Sequence, residues 1–319
     1  MRRQGFLGCC AAVLLAPLGL ATTAHAKGIV APAQITSVKP MQPVGDYRIC
    51  TGGTDGAYFI KGSAMQGIVS NIGKVKAQAY PGGATLGCLY KLGEGEVQSA
   101  IIQLDGLAWL AQTSSPLLAT LGIAGSVLDE EWLTFCNRAS VGEENFAGVG
   151  QDTGRSIVLA GPATSGINLS LNVLAGYDKA YDKATYSYAD NLDAAVRQVS
   201  DGLAHCAITI LDSTAPALGR LDIDYGQKVR LVRTWDRAFR KFRYPGGQVY
   251  RWRYLPQDNQ LLQRMLDWKG TAGKASWAPD TIVQPALLVY RNDVTPPELA
   301  TAMRTAVTAV ATLKTDLQD

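Results

Sequence analysis

The sequence predicts an α/β protein in two lobes, each a mainly parallel sheet with helices on both faces. Three observations lead there. Short apolar runs alternate with longer helix-like stretches along most of the chain, a rhythm that builds parallel sheets covered on both sides. The rhythm restarts near Ser156 with the same strand, small-residue loop and helix start that first occur near Tyr47. The 319 residues also make about two domains of ordinary size.

Residues 1–26 read as an export signal. Arg2 and Arg3 precede an apolar run from Phe6 to Leu20, and Ala24-His25-Ala26 supplies the small residues of a cleavage site after Ala26. The run is shorter than the roughly 20 apolar residues a membrane span needs, so the mature chain is expected to be soluble and periplasmic. The stretch from Lys27 to Gly45, with Pro32, Pro40 and Pro43 and little periodicity, is expected to be an extended, poorly ordered leader. Beyond the signal stand one histidine, His205, and four cysteines, Cys50, Cys88, Cys136 and Cys206. In an oxidising compartment these allow two disulfides in three connectivities, or buried free thiols. None of the spacings is that of a metal site.

The first strand, Tyr47 to Cys50, runs into a loop holding Gly52, Gly53 and Gly56 and then a helix from Tyr58 to Val69. Glycines let backbone amides approach a ligand, and the helix start adds unpaired N–H donors that favour an anion. The same loop also serves as a plain tight connection in many α/β domains. Lys74 to Tyr80 alternates like a strand, Pro81-Gly82-Gly83 turns, and Ala84 to Gly93 is helical. Val97 to Gln103 is a strand, Leu107 to Leu118 a helix, and Trp132 to Arg138 another strand. The second half follows with a strand at Ser156 to Ala160, a loop from Gly161 to Gly166 and a helix from Ile167 to Ala175. A strand at Thr185 to Tyr188, a helix from Leu192 to Val199 with Asp190 as its N-cap, and a buried strand from His205 to Leu211 come next. Each half thus offers a helix start beside small hydroxyl residues, which suits a cleft between two lobes.

Lys228 to Arg253 carries nine basic residues against one acid, Asp236, interleaved with aromatics. A solvated face with arginines snorkelling over apolar surface accounts for it; docking of a membrane partner, or positive potential near the cleft, is the functional alternative. Ala286 to Tyr290 is a strong strand, and Glu298 to Leu313 is an amphipathic helix, apolar at Leu299, Met303, Val307, Val310 and Leu313.

The run Thr51 to Tyr58, Gly82-Gly83 heading a helix, Gln103-Leu-Asp105 after the third strand, Ala163 to Gly166 and the return strand Pro285 to Arg291 together carry a resemblance. In this order and spacing the chain resembles the extracytoplasmic solute-binding proteins of the TAXI branch of TRAP transporters. The resemblance implies a two-lobed type II periplasmic binding protein fold with two crossover strands. Lobe I would take residues 27–139, lobe II residues 140–280, and residues 281–319 would return a strand and a C-terminal helix to lobe I. Hinges would lie near Arg138 to Val141 and Ile282 to Val289. It also implies capture of a small anionic or zwitterionic ligand, such as an amino acid, dicarboxylate or oxo acid, and delivery to a TRAP-type integral membrane permease. Thr51, Gly53 and Thr54 would donate to the ligand, Tyr58 would wall it, and Gln103 would read a polar group. Asp105 would accept from an ammonium or cap its helix, Thr164, Ser165 and Gly166 would grip from lobe II, and Asp212 and Ser213 would complete the set. Thr164, Ile167 and Ala84 stand where the family usually has glycine, threonine and serine, and Lys228 to Trp277 matches poorly.

The alternatives are a sensor of the same fold and an exported hydrolase or transferase. Serine catalysis needs an adjacent base, yet His205 lies in an apolar strand, and the chain has no Gly-x-Ser-x-Gly elbow, Walker loop or dinucleotide fingerprint. A non-enzymatic monomer without cofactor or nucleic-acid partner is therefore expected.

Overall fold

Lobe I begins with β1 (Tyr47–Thr51), α1 (Ala57–Gly73), β2 (Ala77–Pro81), α2 (Ala84–Gly93), β3 (Ser99–Gln103), α3 (Leu104–Gln112) and α4 (Leu117–Thr120). The computed structural model describes residues 28–42, 45–54, 56–141, 145–234, 237–244, 247–255, 260–266 and 280–311. The export segment, Asp55, Trp235, Asp236, Trp268, Trp277 and Leu313 lie outside the described residues. β1 pairs in parallel with β2 and β3, and the alternation of strand and helix appears as the sequence indicates. The helix expected over Leu107 to Leu118 instead stops at Gln112.

The long strand β4 (Leu121–Asn137) then leaves lobe I. Lobe II repeats the plan with α5 (Phe146–Gly150), β5 (Ser156–Ala160), α6 (Gly166–Tyr177), β6 (Thr185–Ala189), α7 (Leu192–Ser200), β7 (Cys206–Leu211), α8 (Ala217–Tyr225) and β8 (Val229–Val232). The α7 N-cap is Asn191, whose side chain accepts from Ala194 N–H, and not Asp190. Short strands β9 (Arg243–Tyr244), β10 (Gly247–Gln248) and β11 (Arg251–Tyr254) and the helix α9 (Gln263–Leu266) follow. β12 (Asp280–Arg291) returns to lobe I, and α10 (Pro297–Ala311) closes the described chain.

The strand order is β2-β1-β3-β12-β4 in lobe I and β6-β5-β7-β4-β8 in lobe II, joined into one sheet. Both lobes therefore obey one rule: three parallel strands, then a crossover strand running antiparallel to the third. β12 takes that place beside β3, and β4 takes it beside β7. β4 pairs with β12 up to Glu131 and with β7 from Glu131 onward. The first crossing thus lies around Asp129 to Glu131, earlier than the Arg138 to Val141 expected, because β4 starts eleven residues before the Trp132 strand read from sequence.

Helices α1 and α10 cover one face of lobe I over Ile49, Met65, Val69, Ile101 and Met303. Helices α7, α8 and α9 cover one face of lobe II. The remaining faces meet: α2 and α3 of lobe I share a single apolar core with α6 of lobe II. Trp132 stands at its centre, with Phe239 and Tyr250 edge-on to its ring at 5.6 and 5.7 Å. In the basic, aromatic stretch Arg233, Arg240, Lys241, Arg243, Arg251 and Arg253 are exposed, as the solvated-face reading has it, and part of its aromatics go inward. Phe239, Phe242 and Tyr250 are core residues, while Arg251 and Arg253 pair with Asp129 and Glu131 and Arg233 pairs with Asp280.

Two disulfides resolve the open pairing. Cys50 at the end of β1 joins Cys88 in α2, and Cys136 in β4 joins Cys206, its register partner in β7. Such bonds suggest an exported protein.

Residues 28–42, expected to be loosely ordered, form a strap across both lobes. Ile29 N–H donates to Asp182 Oδ1 (3.1 Å) and Val30 N–H to the Tyr188 phenol (3.2 Å), while Asn168 and Asn172 donate to Val30 O. All four partners belong to lobe II. A few residues on, Tyr90 donates to Ala33 O, Ser115 to Ile35 O and Arg291 to Lys39 O, all from lobe I. The prolines deny this segment a helix, and its backbone groups are satisfied one by one by side chains and loops instead.

A candidate ligand-binding cavity between the lobes

The parallel strands of both lobes end at the same gap, where ligands of open α/β sheets bind. A cavity of about 360 Å³ fills it, at the small end of the range for small-molecule sites. From lobe I its wall takes Gly52, Gly53, Gly56 to Tyr58, Ala84, Thr85 and Gln103; from lobe II it takes Ala160, Ser165 to Ile167, Thr209 to Asp212 and Ala215 to Ala217. Glu130, at the crossover, forms the floor between them.

Four helices point their N-termini into this space: α1, α2, α6 and α8. No side chain caps any of the four, and none has an acid in its first turn. Their first amides keep unpaired donor capacity and partial positive charge. The α2 start is built on positive φ at Gly83 (93°) and at Ala84 (61°), the latter an uncommon conformation for a residue with a Cβ. The α6 start sits against lobe I, since a methyl group on Gly166 would lie 2.2 Å from Gln103 Oε1. Glycine is needed there for close approach rather than for an unusual φ.

Polar groups line the floor. Tyr58 donates to Glu130 Oε2 (2.7 Å), and Gln103 Nε2 donates to the same oxygen (3.2 Å). Burial drives the Glu130 carboxyl up to about 8, against the opposing pull of these two donors, with Asp105 and Glu131 adding to the rise. Burial likewise pushes the Tyr58 phenol well above its ordinary value. Gln103 Oε1 and Ser165 Oγ, both buried, have no hydrogen-bond partner among the described residues. Buried polar atoms left in that state are costly unless a ligand or water meets them.

Of the residues singled out in the sequence, the structure gathers Gly53, Tyr58, Gln103, Ser165, Gly166 and Asp212 around the cavity. Thr51, Thr54, Asp105, Thr164 and Ser213 do not line it. The Thr51 hydroxyl bonds to Gly52 O and Tyr80 O. Thr54 and Thr164 are exposed. Ser213 N–H donates to Glu131 Oε2 (2.9 Å), fixing the loop that carries Asp212. Asp105 accepts from Ser170 and from Tyr250 (2.9 Å), both of lobe II, so it bridges the lobes; burial lifts its carboxyl to about 6. Sequence reasoning missed Glu130 and Thr85. Three consecutive acids, Asp129 to Glu131, inside an otherwise apolar run were the available signal for Glu130.

His205 Nδ1 lies 2.9 Å from Ser156 Oγ and accepts from Ser156 N–H at 3.1 Å. An imidazole nitrogen that accepts from a backbone amide is tying together the starts of β5 and β7, at the ends of those strands away from the cavity.

No protein-family profile matches the chain, and no curated protein matches it in sequence. Among solved structures, one from Bordetella bronchiseptica RB50 is 12% identical, with a TM-score of 0.50, covering 84% of this chain and 71% of that one. An ancestral arginine-binding protein bound to arginine is 12% identical, with a TM-score of 0.46, covering 83% of this chain and 92% of that one. The periplasmic VFT2 domain of Bordetella pertussis BvgS is 12% identical, with a TM-score of 0.43, over 83% and 87% of the two chains. At such identities the likeness concerns the fold alone. Strand order and paired crossovers make this chain a type II periplasmic-binding-protein fold.

Proposed function

We propose that the chain is a non-enzymatic periplasmic receptor that captures a small carboxylate-bearing ligand between its lobes and delivers it to a TRAP-type membrane permease. One observation carries the reading: four helix N-termini without side-chain caps, drawn from both lobes, converge on one open cleft. Backbone amides so arranged favour an anion, and supplying them from both lobes makes ligand binding and lobe closure one event. Delivery to a permease rests on the sequence resemblance. A thermal-shift screen of the mature chain against amino acids, 2-oxo acids and dicarboxylates tests the capture step, because a ligand that binds only the folded form raises the melting temperature. A rise with at least one acid is expected; no rise with any of them refutes the reading. Reconstituted uptake with a TRAP-type permease tests delivery, and uptake that is indifferent to the receptor refutes it.

A further inference from the structure

The acids around the cavity are not treated alike. Glu131 is held by Arg253 at 2.8 Å. Asp129 is paired with Arg251 and Arg253. Asp212, on the cavity wall, lies in the field of Lys61, and Asp105 is met by the hydroxyls of Ser170 and Tyr250. Glu130 alone among these faces the cavity without a cation. It is 6% exposed, and its two donors, Tyr58 and Gln103, both attach to Oε2. Among the described residues nothing bonds to its other oxygen, Oε1. Among the described residues lining the cavity there is no lysine or arginine.

A buried carboxylate needs a counter-charge or a proton. Here the protein withholds the counter-charge at one acid while supplying it to the neighbouring residue of the same strand. The opposite requirement holds across the cavity, where helix N-termini favour negative charge. We propose that Glu130 sets the specificity of the cavity by taking, at Oε1, the cationic nitrogen of a zwitterionic ligand whose carboxylate lies at the helix N-termini. The inference rests on the carboxylate-capture reading and narrows it. A dicarboxylate would bring its second negative group toward Glu130 and Asp212 with no side-chain cation on the wall to receive it. An α-amino acid or a similar zwitterion matches both ends. Burial raises the Glu130 carboxyl to about 8, which favours its protonated form near neutral pH; an arriving ammonium favours the carboxylate and drives the proton out.

The test uses the mature chain and its Glu130→Gln variant, which preserves shape: its amide oxygen accepts from Tyr58 and Gln103 in place of Oε2, and its uncharged NH2 then faces the ligand where Oε1 stood. Thermal shifts are read with the twenty L-amino acids, with the 2-hydroxy and 2-oxo acids of matching side chain, and with succinate, glutarate and 2-oxoglutarate. The expected result is stabilisation by one or more amino acids and none by their nitrogen-free counterparts or the dicarboxylates. Calorimetry of the strongest amino acid at pH 7, in phosphate and in Tris, is expected to show net proton release from the wild type and none from the variant. Affinity in the variant should fall roughly tenfold or more, as for loss of a charge-assisted hydrogen bond. Equal or stronger stabilisation by a nitrogen-free acid, or undiminished amino-acid affinity in Glu130→Gln, overturns the inference while leaving carboxylate capture standing. A chain stabilised by none of these acids refutes carboxylate capture, and the inference with it.

Discussion

Replacing Gly166 with alanine puts the contact between the two lobes under direct test. The added methyl would sit 2.2 Å from Gln103 Oε1, 2.7 Å from Cδ and 2.9 Å from Nε2. Something must give. If the Gln103 amide swings aside, its hydrogen bond to Glu130 is lost, and Tyr58 remains the only donor to that buried oxygen. If Gln103 stays, α6 must back away from lobe I and loosen the apolar core they share. A buried hydrogen bond lost to a partly charged acceptor and a methyl forced into a packed site each cost about 1–3 kcal/mol. At 1.4 kcal/mol per tenfold, closure around a ligand should weaken roughly 5- to 150-fold. The change leaves α6 itself intact, because Gly166 does not have the positive φ that would strain alanine. Calorimetry with the acid giving the largest thermal shift reads the affinity, and thermal unfolding of the ligand-free chain should show a melting point lower by roughly 2–12 °C. A Gly166→Ala chain that melts and binds like wild type would mean that the Gln103–Gly166 contact does not constrain the lobes, and the reasoning fails.

Three more outcomes are expected. Replacing Cys136 and Cys206 with alanine opens a bond spanning 70 residues, and chain-entropy loss of that size should cost about 4 kcal/mol, read as a lower urea midpoint under non-reducing conditions. Glu130 holds a proton in the folded chain that the unfolded chain releases near its ordinary 4.5, so its contribution to stability falls as pH rises from about 4.5 to 8; the melting point of Glu130→Gln relative to wild type should climb across that window and level off above it. A chain starting at Ser37 loses four hydrogen bonds from the strap to lobe II and two to lobe I; at about 0.5–1.5 kcal/mol each, denaturant unfolding should show a loss of about 3–9 kcal/mol.

The alternation of strands and helices was legible because each short parallel strand carries its own apolar run and ends in a glycine-bearing loop. The first half of β4 was not. Leu121 to Glu131 contains two glycines and three acids, and only its ladder with β12, more than 150 residues away in sequence, makes it a strand. Gly122 shows why the composition misleads: a methyl there would strike the Tyr290 ring and Asn292 at 2.5 Å, so the residue answers to a distant neighbour. Cavity residues were legible where they sit on the glycine loops, as Gly53, Tyr58, Ser165 and Gly166 do. Glu130 was hidden, because its meaning depends on which nearby acids are given cations. In the basic, aromatic stretch the exposed arginines were legible, and the inward aromatics were not, for the related reason that Phe239 and Tyr250 bury themselves against Trp132, more than 100 residues earlier.

The strap has a mechanical consequence. Val30 is held by lobe II and Ala33 by lobe I, and three residues can span at most about 10 Å. Parting the lobes by more than the slack in that short bridge must release one grip or the other. Docking of the strap and retention of a solute are therefore linked quantities, and linkage is reciprocal. On the capture reading, whatever factor a bound solute adds to strap docking, undocking of the strap removes from solute affinity.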